Sequence, residues 1–585
     1  MAVDDPPVER RLSNSDEERD ENRLAQFGYK QELKRDWGLA HNFGVSFSII
    51  SVITGLSTLF SYGLNTGGPA VMSIGWIVVS FFTMLVAIAM AEIVSAIPTS
   101  GGPYFWAAML APPRWSPFAA WITGWYNLLG QVAVTTGISF GLANLIPTAV
   151  TVKNPDFVPT PRITIGIYAA VLISHGIVNT FGVRVLRFLN NVSIVLHSAG
   201  ITAICIAVLA KAPTHQPASF VFGKFYDGTG VDGGEGWSIR ASPAYLAVCG
   251  ALLSKFPCFV LSSDGLRTGH PLNCGPCAAS QPASDSLNSL NNLNSDSETP
   301  QHITNRRYKK ASWSAPIGVV SSVGFSALFG FFVLMAFLFS IQDFDRVLDS
   351  AYGQPVLQIL VDVAGEDGAL VLFTLIMVCI WHCGLFSMTS NSRMMFAFAR
   401  DGGIHPFFHK VDDRFRSPIR AVWLAATLSF ILALPSLGST VAYAAATSIA
   451  TIGLYISYGL PILIGVLCHQ TFEAMKGPFN LRGLSRIIAI AACLWIACIT
   501  VVFCLPTANP VTSDTFNYTV VAVGILCLGA IGSWVFWARH WFTGPAAEVA
   551  EAMRLGVDIT EPGALEEKEK QAGKAAPGSA AEISS

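Results

Sequence analysis

Charged side chains are scarce in this 585-residue chain: Asp, Glu, Lys and Arg together make up 13%, against 52% hydrophobic residues. So few charges cannot solvate the surface of an ordinary soluble protein of this length, and the medium around most of the chain is therefore lipid. Net charge is only −2, and the charges gather in patches between long apolar runs, which excludes a basic nucleic-acid face. No nucleotide-binding P-loop, no H-E-x-x-H and no G-x-S-x-G elbow occurs. ATP-powered transport within this chain and the commonest hydrolytic chemistries thus lack their residues, and no enzyme is expected. The first 42 residues are polar and mixed in charge, with no apolar h-region. They read as a cytoplasmic tail and not as a cleaved signal peptide. The 12 cysteines are scattered through apolar runs, the pattern of buried reduced thiols rather than of a disulfide framework. Cys274 and Cys277 form a lone C-x-x-C, short of the four ligands a zinc site needs, so no metal is expected.

What the chain has in quantity is apolar length. A hydrocarbon core about 30 Å thick takes roughly 20 residues of helix. Twelve segments approach or exceed that, at 43–64, 71–97, 118–146, 163–178, 188–210, 243–261, 317–341, 370–392, 421–437, 441–467, 487–505 and 520–537. The loops that face inward when the N-terminus is cytoplasmic hold 16 Lys and Arg residues, and the opposite loops hold 6. That bias orients an all-α, twelve-span membrane domain over 43–541 with both tails inside, the second a disordered tail over 542–585. An N-x-T acceptor, Asn517-Tyr518-Thr519, falls on the outer side but very close to the bilayer.

Polar groups inside the spans mark function more sharply than length does. Span one carries Thr54, Gly55, Ser57 and Thr58 at mid-membrane. Glycine and hydroxyls there predict an unwound segment over 53–58, whose free backbone groups hold a carboxylate or cation; the alternative is close helix packing by small residues. Span three offers Asn127 and Gln131 beside Trp121, Trp125 and Tyr126, the amides bonding either a polar solute or a neighbouring helix. Span eight is dense in small and hydroxyl side chains around Ser387. The ionisable residues within spans are Glu92, His175, His197, Lys255 and His382. Glu92, near the inner interface, reads first as a structural hydrogen-bonding group and second as a proton relay. His197 is the better relay candidate because imidazole titrates near neutrality, although a satisfied interior histidine has the same sequence signature.

Several ordered motifs carry a family likeness: GYKQELKR before span one, SIISVITGLSTLFSYGLNTGGP, EIVSAIPTSGGPYFWAAMLAP, FAAWITGWYNLLGQVA, KKASWSAPIGVVSSVGFSALFGF, SNSRMMFAFARDGGIHPF and PTANPVTSDTFNYT. Together they resemble the fungal GABA and choline permease branch of the amino acid–polyamine–organocation superfamily. The resemblance implies an inverted repeat of five plus five spans with two further C-terminal helices. It implies a solute held at broken first and sixth spans, with Thr54, Gly55, Ser57 and Thr58 meeting its carboxylate. It further implies secondary transport of 4-aminobutyrate or a related amino acid across a fungal plasma or vacuolar membrane, driven by protons, another ion or exchange, with no organic cofactor. Choline or ethanolamine is the alternative cargo. One stretch departs from the pattern. From Pro257 to about residue 308 the chain is rich in Ser, Asn and Pro, and Lys255 and Pro257 interrupt span six just before it. The stretch reads as retained intron sequence or a faulty gene model, which removes half of the expected solute site. A non-transporting splice product or a solute sensor is the reading this damage motivates.

Overall fold

The computed structural model describes residues 48–97, 101–226 apart from 182, 228, 310–438 apart from 413 and 416, 442–505, 512 and 516–545. Eleven helices among the described residues are long and apolar enough to cross a membrane. Keeping the order of the twelve sequence segments, they are span one (Ser48–Asn65), two (Gly68–Ala96), three (Ser116–Thr151), four (Pro161–Thr180), five (Val185–Lys211), seven (Ala315–Phe339), eight (Pro355–Arg400), nine (Ile419–Leu437), ten (Ala445–Leu467), eleven (Arg482–Cys504) and twelve (Thr519–His540). Each overlaps its expected segment. Span six at 243–261, the 257–308 stretch with Cys274 and Cys277, the tail 1–42 and most of 542–585 lie outside the described residues.

The chain is an all-α membrane protein, and its surface shows why. Outward-facing side chains such as Phe81, Leu494, Leu528 and Phe536 are large, apolar and exposed, a surface that only lipid satisfies. Span three is the most enclosed, with 83% of its most apolar stretch buried, while span twelve has 11% and packs at the periphery. Span three crosses span ten at a pair of glycines. A Cβ on Gly453 would stand 3.0 Å from Gly130 Cα, and one on Gly130 would stand 2.8 Å from the backbone nitrogen of Leu454. Backbones this close leave no room for a side chain, and dispersion between them replaces the hydrophobic drive that lipid removes.

Span eight is fixed near both ends. Gly365 takes φ 70° and ψ 174°, separating the stretch that begins at Pro355 from the membrane-crossing part. Next to the break, Lys153 pairs with Glu366 and Asp367, each at 2.9 Å. At the far end the buried Tyr104 hydroxyl donates to Asp401 Oδ2 at 2.7 Å, and Arg400 Nε donates to Asp401 Oδ1 at 2.8 Å. Tyr104 lies on the short helix Pro103–Leu110 between spans two and three, so this contact ties two connecting segments together.

A second tie is built on Glu92. Its Oε1 accepts from the Leu481 backbone N–H at 3.1 Å, its Oε2 accepts from the Ser485 hydroxyl at 2.6 Å, and Lys476 Nζ stands 3.5 Å away. The Glu92 and Lys476 side chains are only 3% and 4% exposed. Every partner comes from the connection between spans ten and eleven or the start of span eleven. The carboxylate therefore pins span two to that connection, the first of the two roles its position suggested. Removing one partner of a buried ion pair strands the other charge at a cost of about 3–5 kcal/mol. Glu92→Ala is expected to lower the thermal unfolding temperature of the purified protein markedly and Glu92→Gln less so; an unchanged unfolding temperature for both would remove the tie.

Candidate functional site

The helix break in span one falls two residues before the expected 53–58 segment. Ser51 adopts φ 26° and ψ 72°, and an unbroken helix then runs Val52–Asn65 through Thr54, Gly55, Ser57 and Thr58. The shift has a local cause. Thr58 Oγ1 donates to the Thr54 carbonyl at 2.8 Å, a bond to the preceding turn that a helix accommodates, so the hydroxyls there do not unwind it. Ser51 in contrast is captured from span five, where His197 Nε2 stands 2.8 Å from Ser51 Oγ. Ser51 Oγ also lies 2.6 Å from Thr54 Oγ1, and the Thr54 N–H donates to the Ser51 carbonyl at 2.7 Å. A left-handed conformation at a residue with a Cβ costs about 1–3 kcal/mol, and these bonds offset it.

His197 is positioned by a π-helical turn, Leu196–Gly200, within span five. Its Nδ1 is 2.9 Å from the Ser193 carbonyl, which only accepts, so Nδ1 carries the proton of the neutral ring. Nε2 then accepts from the Ser51 hydroxyl, and Thr54 Oγ1 donates to Ser51 Oγ. The result is a directed chain from Thr54 through Ser51 to His197, buried throughout. Protonating Nε2 reverses the Ser51 hydroxyl and hence the direction of the chain.

A second polar group lies between spans three and eight. Thr135 Oγ1 is 2.9 Å from Ser387 Oγ and accepts from Asn391 Nδ2 at 3.3 Å. One turn along span three, Gln131 is fully buried, and neither atom of its amide has a partner among the described residues. An unbonded buried amide costs about 1–3 kcal/mol, a cost recovered when a polar solute bonds it. Gly384 brings the helices close, since a Cβ there would stand 2.6 Å from His175 Cε1 and 3.1 Å from Ser139 Oγ. One turn before Ser387, Cys383 Sγ donates to the Ile49 carbonyl at 3.1 Å, just before the break at Ser51. Span eight therefore joins the two polar groups, although no hydrogen bond between them occurs among the described residues.

Of the residues expected at the site, Thr54 belongs to the first group, Ser387 to the second, and Gln131 lies one turn from the second. Gly55, Ser57 and Asn127 are buried nearby on the same two helices, and the Ser57 hydroxyl has no partner among the described residues. Thr58 is committed to its own helix. Trp121 is drawn elsewhere: its Nε1 donates to the Ala530 carbonyl at 3.1 Å, so it anchors span twelve. Sequence reasoning missed Ser51, Thr135 and Asn391. The spacing of Gln131, Thr135 and Ser139, four and eight residues apart on one helix face, was the available signal. The Asn517 acceptor is also committed, its Nδ2 donating to the Phe503 and Leu505 carbonyls at 2.7 and 2.9 Å.

Comparison with known proteins shows the family. A family profile described as amino acid permease matches residues 42–266 and 295–527, so the unmatched gap lies inside the 257–308 stretch. The chain is 39% identical over 541 residues to the amino-acid permease BAT1 homolog of rice, covering 89% of this chain and 95% of that protein. It is 37% identical over 548 residues to amino-acid permease BAT1 of Arabidopsis thaliana, covering 90% and 96%. The GABA-specific permease of Saccharomyces cerevisiae is 29% identical over 557 residues, covering 93% and 89%. Plant relatives thus stand nearer than this yeast one, and the likeness is broader than the fungal branch its motifs suggested. The chain belongs to the amino acid permease family, within the amino acid–polyamine–organocation superfamily.

Proposed function

We propose that the chain is a secondary transporter of 4-aminobutyrate or a closely related small amino acid, with the solute held where span one breaks at Ser51. The observation that carries the reading is the break itself: a strained serine, fixed by His197 and Thr54, at the junction of spans one, five and eight. Backbone groups freed at a mid-membrane break are tolerated when they line a polar cavity. The solute carboxylate takes the span-one groups around Thr54, Gly55 and Ser57, and the polar side chains at Asn127, Gln131 and Ser387 bond the rest of it. Likeness to a yeast permease named for GABA supports the choice of cargo.

His197 carries the coupling in this reading. Gain of a proton at Nε2 turns the Ser51 hydroxyl away from the ring and toward the break, so solute and proton are felt by the same serine. Glu92, held in its tie to the connection between spans ten and eleven, takes no part. Both tails face the cytoplasm, as the 16-to-6 distribution of basic residues favours.

Cells producing the full chain are expected to take up labelled 4-aminobutyrate saturably, without inhibition by choline, and Gly55→Leu at equal surface amount is expected to abolish that uptake. Uptake of choline in its place would overturn the cargo, and undiminished uptake by Gly55→Leu would remove span one from the site. For coupling, uptake that rises as the outside is acidified is expected to become insensitive to pH in His197→Ala. Retained sensitivity in that variant would exclude His197 as the relay. A protease added to intact cells should leave a C-terminal tag uncut, and its removal would reverse the orientation.

A further inference from the structure

Beside the Glu92 tie, spans two, ten and eleven enclose a cleft of about 320 Å³, counting its open mouth. Clefts that hold small ligands begin at about 300 Å³. Ala89 and Ile93 of span two, Ile462 and Val466 of span ten and Ala489 of span eleven make an apolar lining. Toward the connection between spans ten and eleven the lining turns polar, with His469 and Arg486. Exposed apolar side chains adjoin two of these walls in sequence: Leu463 and Leu467 on span ten, Ile487 and Ile490 on span eleven. The cleft therefore lies where the lipid-facing surface meets the ends of the helices, with its apolar part at chain depth and its basic part at headgroup depth.

The charges at the polar end are unevenly settled. Glu92 is held by the Leu481 N–H, the Ser485 hydroxyl and Lys476. Lys476 also pairs with Glu473, and the same Glu473 oxygen stands 3.5 Å from His469 Nε2. Arg486 is left over: it is exposed, and among the described residues it has neither a hydrogen bond nor an ion pair. Its planar fork of donors matches a phosphate. We infer that the cleft holds an anionic phospholipid, with an acyl chain along the apolar walls and the phosphate on Arg486. A zwitterionic headgroup fits less well, because it sets its ammonium beside the guanidinium while both nearby carboxylates are taken by Lys476. On the orientation proposed above this end faces the cytoplasm, the leaflet where anionic lipids concentrate, and nothing in the inference depends on the solute site. A lipid so placed touches spans two, ten and eleven together, and its binding is therefore read as stability.

The test is the thermal unfolding temperature of the full chain, purified in detergent, as dioleoylphosphatidylglycerol is added. A rise of a few degrees is expected, since a ligand of the folded state stabilises it by mass action. Dioleoylglycerol, which has the same chains without the phosphate, dioleoylphosphatidylcholine and inorganic phosphate should each raise it less or not at all. Arg486→Gln is expected to leave the lipid-free temperature unchanged and to remove the rise. Gly465 of span ten also lines the cleft, and a Cβ there makes only ordinary contacts, with Leu110 at 3.8 Å and Phe472 at 3.9 Å. Gly465→Leu therefore fills the apolar part and should remove the rise as well; should it unfold earlier without lipid, Ala489→Leu on span eleven takes its place. No rise with phosphatidylglycerol, or an equal rise with dioleoylglycerol or phosphatidylcholine, would overturn the anionic headgroup. An equal rise with inorganic phosphate would replace the lipid by a soluble anion, and a rise retained in either variant would place the lipid elsewhere. Loss of a C-terminal tag to protease on intact cells would move the lipid to the outer leaflet without touching the site.

Discussion

The hydrogen bond from Ser51 to His197 is the constraint around which the rest of the site is arranged. It draws a non-glycine residue into a left-handed conformation, so that helix ends at residue 50 and begins again at Val52. The direction of the Thr54–Ser51–His197 chain follows from the proton on His197 Nδ1, which the Ser193 carbonyl fixes. The π turn in span five is what allows His197 to reach span one, and a regular helix would place its ring differently. Two irregularities in different helices thus depend on one bond between them.

Much of this architecture was legible in the sequence because membrane insertion is governed by length and apolarity, both of which are local. Each of the eleven apolar segments within the described residues corresponds to a span for that reason. The position of the break was not legible to the residue. Gly55 and the flanking hydroxyls are helix-weakening in isolation, yet the helix runs through them with Thr58 bonded back to Thr54, and the break follows a partner on span five nearly 150 residues away. Long-range capture of this kind leaves no trace in local propensity. The same holds for Trp121, which stands in sequence beside the amides of span three yet bonds a carbonyl of span twelve. Glu92 was easier: a carboxylate near the end of a span has few outcomes other than a nearby donor set, and the connection after span ten supplies it.

Span eight draws these elements together. Its Cys383 thiol meets span one, its Ser387 and Asn391 meet span three, and Gly384 allows His175 of span four to approach. From His382 to Ala399 this helix is buried but for Arg393, so that stretch is shaped by protein contacts at every turn, and its residue types are correspondingly rich in small and hydroxyl side chains.

The fastening of this helix at both ends sets the kind of motion open to the molecule. Gly365 turns the chain sharply where span eight begins, and the Tyr104–Asp401 bond anchors it where it ends. A post held top and bottom does not piston. Access to its flanks must come from the neighbours leaning away from it, so the post is the stationary axis and span one, hinged at a single strained serine, is the natural lever arm.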